Sequence, residues 1–298
     1  MHLVSPFTSS KAIPSDQRPR DDELDLFGLT HPGRVRKANE DQFLLCTVHP
    51  QVAIHATSLP EPEVLAPLGQ RLATILLVAD GVGGSAAGSK ASRIATEAVT
   101  RYVASSFRCH CTAESALEGE FESTLRAAAI DAHESVLDEA RTQPQQSGMA
   151  TTLSLGIVVW PWLYVVQVGD SRCYVYERGV LRQITRDQTY AQDLVERGVF
   201  SREDARMSPL SHVLSSAIGA SEALPEITRV NVRERGTVVL VCTDGLTKHV
   251  SDAEIAERVG SMTSAEQLCN ALLELALERG GTDNITMVVG RAVRRDAA

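Results

Sequence analysis

Residues 73–84 read Ala73-Thr74-Ile75-Leu76-Leu77-Val78-Ala79-Asp80-Gly81-Val82-Gly83-Gly84. A nearly continuous apolar run of strand length ends in an acid and a glycine-rich turn, which predicts a buried strand entering a loop. Beyond the loop, Ala91, Ile94, Ala95, Ala98, Val99 and Tyr102 recur at three- and four-residue steps, as do Leu117, Phe121, Leu125, Ala128 and Ala132. Each set predicts an amphipathic helix.

Outward from this unit the pattern is mostly strand. Segments 25–30 and 41–48 are joined by the turn His31-Pro32-Gly33 and a polar run. Segments 151–160, 163–168, 172–176 and 180–184 have connectors far shorter than the dozen or so residues of a parallel crossover, so neighbours are antiparallel. A helix at 190–197 leads into a polar stretch, 198–219, of flap character, followed by strands at 227–232 and 237–242. Ser251-Asp252-Ala253-Glu254 and Ser264-Ala265-Glu266-Gln267 read as capping boxes, each opening a helix. The second helix stops at Gly280-Gly281, and 285–293 closes as a strand. Hairpin series and paired helices predict an α+β fold with helices outside antiparallel sheets. Residues 1–22 read as a flexible tail and 23–295 as a single domain. Within it 51–71, with Pro60, Pro62 and Pro67, is a surface insertion.

The chain has 298 residues, 43% hydrophobic, and a net charge of −9, enough for a full core and unlike a disordered polymer. Its acidic balance and scattered basic residues argue against nucleic-acid binding. No stretch approaches the roughly 18 apolar residues of a membrane span. The six cysteines are few for the length, and four sit in apolar runs, which predicts reduced thiols and a cytoplasmic protein. Cys109-His110-Cys111 lacks a second Cys/His pair for a zinc site. No cysteine has an arginine six positions later, so a cysteine-nucleophile phosphatase loop is absent.

Asp80, Asp170, Asp244 and Asp283 each stand in a turn beside an apolar strand. One Asp beside Gly is ordinary turn chemistry, but four in such positions suggest a common rim. Carboxylates about 4 Å apart repel by roughly 4 kcal/mol per pair at an effective dielectric near 20, so a shared site calls for a cation. Oxygen ligands without His or Cys select Mg²⁺ or Mn²⁺. Gly81, without a side chain, lets its carbonyl approach an ion. Arg36-Lys37-Ala38-Asn39-Glu40-Asp41 adds an acid pair and a guanidinium fork suited to a phosphate dianion. Residues 81–86 also fit a dinucleotide fingerprint, but the Asp80 carboxylate would repel a pyrophosphate, and the next segment after the first helix is another helix.

With Gly148-Met149-Ala150-Thr151-Thr152, Val168-Gly169-Asp170-Ser171-Arg172, Thr243-Asp244-Gly245 and Thr282-Asp283-Asn284, these motifs stand in order along nearly all of 24–293. The chain thereby resembles the metal-dependent protein serine/threonine phosphatases of the type 2C class, in their bacterial form. The resemblance implies a four-layer α-β-β-α sandwich. It implies that Asp80 bridges two ions, that the Gly81 carbonyl binds one of them, and that Asp244 and Asp283 complete the other. Asp170, with Asp244, would hold a third ion. Glu40 and Asp41 would hold metal-bound waters and Arg36 would anchor phosphate. The implied activity is hydrolysis of phosphoserine and phosphothreonine in proteins by a binuclear metal-bound hydroxide, with two or three Mn²⁺ or Mg²⁺ ions. The implied setting is signalling by a monomer whose partners are phosphoproteins and a cognate Ser/Thr kinase. The rival is a pseudophosphatase-type phosphoprotein-binding module, which loss of the metal acids would mark; all are present here. Two positions depart from the pattern: Val82 and Gln188 stand where some relatives carry histidine.

Overall fold

Every residue of the 73–79 run is buried, because alternate side chains enter different apolar layers. The computed structural model describes residues 18–49, 71–110 and 118–293. The expected tail up to residue 17, the insertion over 51–70 and Cys111 lie outside the described residues. In chain order, β1 (Leu24–His31), β2 (Gln42–Val48), β3 (Ala73–Ala79) and the short β4 (Gly81–Val82) precede helices α1 (Ser85–His110) and α2 (Glu118–Thr142). Then come β5 (Ala150–Thr151), β6 (Leu153–Val159), β7 (Trp162–Val168), β8 (Arg172–Glu177) and β9 (Val180–Gln183). The chain continues through α3 (Tyr190–Glu196), α4 (Arg202–Met207), β10 (Glu226–Asn231), β11 (Val238–Cys242) and α5 (Asp244–Thr247). It ends with α6 (Asp252–Gly260), α7 (Ala265–Glu278) and β12 (Ile285–Ala292).

Two five-stranded antiparallel sheets form, in the orders β1-β12-β11-β8-β9 and β10-β7-β6-β3-β2. Ile75 and Leu77 pack with Ala91, Ala95 and Val99 of α1 and Leu125 and Ala128 of α2. Leu76 and Val78 point the other way, into a layer shared with Cys173, Val175, Val239, Val241 and Val288 of the second sheet. The far side of that sheet, including Tyr174, Leu240 and Met287, packs with Ile255 of α6 and Leu268 and Leu272 of α7. Three apolar layers therefore hold four structural layers, as the α+β sandwich expectation requires. Among the described residues, no helix is long and apolar enough to cross a membrane.

Several details differ from the sequence expectations. The strand expected over 151–160 divides, because β5 pairs with β4 in a small sheet of its own. Thr152, at the break, lends its hydroxyl to the Asp80 backbone N–H instead of a partner strand. The flap region holds α4, opened by a reciprocal capping box between Ser201 and Asp204. Ser251 and Glu254 form the expected box, but Ser264 forms only half of one. Its side chain caps Gln267 N–H, while the Gln267 side chain accepts from Thr263 N. Residues 18–22 are pinned: Arg18 Nη2 donates to Leu72 O at 2.5 Å, and Arg71 pairs with Asp21 and donates to Pro19 O.

Leu76, 1% exposed, is sandwiched between the sheets, whereas Val35 is 65% exposed. Leu76→Ala is expected to cost about 2–5 kcal/mol of unfolding free energy in urea with chelator present. Val35→Ala should stay within about 0.5 kcal/mol.

Candidate metal centre

The sandwich brings chain ends of both sheets to one rim. Asp80 follows β3, Asp170 follows β7, Asp244 follows β11, and Glu40, Asp41 and Asp283 lie just before β2 and β12. Each acid is held by its backbone or by a short polar neighbour. The Asp80 N–H donates to Thr152 Oγ1 at 3.0 Å, and its carbonyl accepts from Thr152 N and Thr151 Oγ1. Thr152 Oγ1 lies 2.7 Å from Ser171 Oγ, which ties the Asp80 turn to the Asp170 turn. Gly169 has φ +101°, and a Cβ there would meet the Thr152 side chain at 2.7 Å. Gln188 fastens this turn from outside, its Oε1 accepting from Gly169 N and its Nε2 donating to Leu224 O. That gives Gln188 a structural task where some relatives carry histidine.

Asp41 is buried. Its Oδ2 accepts from Thr286 Oγ1 at 2.6 Å and Thr243 Oγ1 at 2.9 Å. With Thr286 donating to Asp41, Thr30 donates to Thr286 and Asn39 donates to Thr30, so one chain of donors ends on this carboxylate. Asn284 joins the two sides of the rim: its Oδ1 accepts from Glu40 N, and its Nδ2 donates to Pro32 O and Ala38 O. A Cβ on Gly245 would sit 1.8 Å from Asn284 O, so only glycine permits that approach. At Gly81 a Cβ would fall 2.3 Å from Gly88 O and 2.7 Å from Glu40 O, and at Gly88 it would fall 2.1 Å from Glu40 Oε2. These glycines form a cradle open only because they lack side chains.

The electrostatics follow from burial and crowding. Burial, then the charges of Asp41, Asp244, Asp170 and Asp283, pushes Asp80 well above the usual carboxylate range. Asp41 is pushed up to about 6, chiefly by burial and against the pull of its threonine donors. Asp170 is pushed up to about 8 by burial and by Asp244 and Asp187. Burial also raises Glu40, with Arg36 opposing. Asp283 goes the other way: burial would raise it, but Lys248 and Arg36 hold it below its ordinary value. Arg36 grips Asp283 in a fork, with Nε to Oδ1 at 2.8 Å and Nη2 to Oδ2 at 3.0 Å. Lys248 Nζ bridges Asp244 Oδ2 at 2.6 Å and Asp283 Oδ2 at 2.7 Å.

All eight residues singled out in the sequence, Arg36, Glu40, Asp41, Asp80, Gly81, Asp170, Asp244 and Asp283, thus belong to one rim. Fully ionised, the six carboxylates are bonded among the described residues by two cations, Arg36 and Lys248, which leaves an excess of four negative charges within this set, the amount that two divalent ions neutralise. Asp41 Oδ1 and Asp244 Oδ1 are buried without hydrogen-bond partners. Orphaned carboxylate oxygens, an oxygen-only donor set and the glycine cradle fit hard cations. Among the described residues, no three His, Cys, Asp or Glu side chains close round one point; Asp244 and Asp283 are paired with Lys248, and Asp283 with Arg36 as well.

A family model described as protein phosphatase 2C matches residues 68–278. The chain belongs to the protein phosphatase 2C family. Among curated relatives it is 34% identical to the serine/threonine protein phosphatase PstP of Mycobacterium tuberculosis over 224 residues, 75% of this chain and 41% of that protein. It is 32% identical to the serine/threonine phosphatase stp of Listeria monocytogenes over 222 residues, 74% of this chain and 84% of that protein. The chain thus spans less than half the length of PstP. The crystal structure of M. tuberculosis PstP superposes with a TM-score of 0.71 at 29% identity, covering 91% of this chain and 99% of that one. A PstP catalytic domain in complex with two manganese ions gives 0.69 at 29% identity over the same shares. Within this type 2C rim, sequence reasoning missed Lys248, Thr286 and Gly88, and gave no role to Thr243, which stands in the motif Thr243-Asp244-Gly245. Of the three missed residues Lys248 had a readable signal, its place four residues after Asp244.

The raised Asp170 gives a stability signature in chelator. An unfolded aspartate titrates near 3.9, so between that value and about 8 the folded protein holds a proton that the unfolded chain has lost. Stability then falls as pH rises through this window. Asp170→Asn, neutral throughout, should raise the thermal midpoint more at about pH 9 than at about pH 5.5. An equal change at both pH values would contradict the assignment.

Proposed function

We propose that this chain is a phosphoric monoester hydrolase acting on phosphoserine and phosphothreonine in proteins, with catalysis in one domain over 23–295. The observation that carries the reading is the excess negative charge on the rim, matched by orphaned oxygens on Asp41 and Asp244. The kinship with PstP and stp supports the substrate class. Asp80, the Gly81 carbonyl, Asp244 and Asp283 would hold two divalent ions, Mn²⁺ or Mg²⁺, with Asp170 and Asp244 offering a third position. Such a pair would supply a water of near-neutral pKa and offset charge on the phosphoryl oxygens during in-line attack.

The chain's own residues do the remaining work. Arg36, with a side chain 53% exposed, stands at the mouth of the site and can turn its fork from Asp283 to two phosphoryl oxygens. Asp41, held rigid by Thr243 and Thr286, keeps one oxygen free to accept from an ordered water. Glu40 lies against Gly88 and lines the same side. Val82, exposed at the place where the resembled pattern can carry histidine, has no proton to donate, and we assign protonation of the leaving serine or threonine oxygen to solvent. A pseudophosphatase-type binding module is disfavoured, since every expected acid is present and the rim retains its charge.

Phosphoproteins of this kind are made by phosphoryl transfer to serine or threonine, so a Ser/Thr kinase is the natural counterpart. Cys46, Cys173, Cys242 and Cys269 are free thiols, in keeping with a reducing cytoplasm and a signalling role there. We read the working unit as a monomer.

Phosphate release from a phosphothreonine peptide should require Mn²⁺ or Mg²⁺, stop with chelator and return when the ion is restored. Asp80→Ala should lower turnover by at least about a hundredfold. Its thermal midpoint in chelator should hold or rise, because the variant removes a strained buried acid. Turnover indifferent to both chelator and substitution would sink the reading.

A further inference from the structure

The rim carries a cation of its own. Lys248 caps the short helix α5 that begins at Asp244, so its side chain returns over the first turn. Its ammonium bridges Asp244 Oδ2 and Asp283 Oδ2, two of the oxygens expected to ligate an ion. The Asp283 carboxylate is thereby claimed twice, by Lys248 and by the Arg36 fork. On the Asp80 side, by contrast, none of the described cations bonds Asp41, Asp80 or Asp170, and Asp41 Oδ1 is left without a partner. The two halves of the rim are therefore unequal. One is a bare carboxylate cluster, and the other is already neutralised in part by a tethered ammonium.

Resting on the metal-dependent reading above, we propose that Lys248 acts as a built-in competitor for the Asp244–Asp283 half of the centre. It weakens divalent-ion binding there and makes the two halves fill at distinct concentrations. The physics is exclusion and charge. An ammonium at hydrogen-bond distance from both carboxylates occupies the space and the lone pairs a cation needs, and if displaced it still repels a dication a few ångströms away. Its stem is long and flexible, so it can withdraw toward solvent when a competing ion arrives. Lys248 is thus a positioning residue that sets ion occupancy.

The test is Mn²⁺ binding to the full chain, followed by calorimetry and by the electron paramagnetic resonance signal of free Mn²⁺, for wild type, Lys248→Met and Lys248→Arg. Wild type and Lys248→Arg should show a tight and a weak step. Lys248→Met should tighten the weak step by about tenfold or more and leave the tight step nearly unchanged. Thermal melts give an independent reading. In chelator Lys248→Met should melt below wild type, because Asp244 and Asp283 lose their shared counter-charge. The rise in its midpoint on adding Mn²⁺ should exceed that of wild type. Identical isotherms and identical Mn²⁺-induced midpoint shifts in wild type and Lys248→Met would overturn the role of Lys248 while leaving the metal-dependent reading intact. Failure of every form to bind Mn²⁺ would overturn both.

Discussion

Like charges held at one edge of a rigid body govern this molecule. Six carboxylates on loops from both sheets share a rim where, among the described residues, Arg36 and Lys248 are the cations that bond them, and burial adds to their mutual repulsion. Free chains would relieve that strain by moving apart. Here they cannot, because each acid lies within a few residues of a strand whose side chains are locked into one of three apolar layers. The energy of the core thus maintains an arrangement that is unfavourable by itself and favourable once cations or protons are supplied.

Short side chains transmit that rigidity. Thr152 and Ser171 join the Asp80 and Asp170 turns, Thr243 just after β11 and Thr286 in β12 hold Asp41, and Asn284 fastens the 32–40 loop beside Asp283. Serine, threonine and asparagine suit this task, because they bond across two or three bonds' reach and lose little rotamer freedom when ordered. Gly81, Gly88 and Gly245 contribute by absence, since a methyl group at any of them would enter neighbouring backbone or the Glu40 carboxylate.

How much was legible in the sequence divides along the same line. The strand at 73–79 and the helices after it were readable, because burial on two faces or one stripe leaves a continuous or periodic apolar pattern. The acids were readable because each follows or precedes such a strand. Their tertiary supports were not: a threonine 202 residues from Asp41 in sequence leaves no periodic trace of its hydrogen bond. Thr152 was hidden inside an apparently continuous strand, and only the geometry shows that the ladder breaks there to serve Asp80. Gln188 departs from the histidine of the resembled pattern, and its amide has a use the sequence does not reveal: it accepts from Gly169 N and donates to Leu224 O, which fixes the Gly169 turn. The Ser264 box failed because Thr263 N competed for the Gln267 oxygen, a choice one residue wide.

On the proposed reading, in which Arg36 anchors phosphate, its pairing with Asp283 would link occupancy at the rim to capture of the phosphoryl group. While Asp283 lacks a stronger counter-charge, the Arg36 fork is spent on it and offers a phosphate little. A cation held by Asp283 would weaken that pair in two ways, by withdrawing the carboxylate's charge and by repelling the guanidinium. An arriving phosphate dianion then offers the same planar fork a stronger partner. Arg36 and Lys248 therefore behave as stand-ins on one carboxylate, with different fates on displacement. Arg36 gains a new anion, whereas Lys248 must retreat to solvent. Under that proposal, a cation held by Asp244 and Asp283 would free the Arg36 fork for phosphate while sending the Lys248 ammonium to solvent.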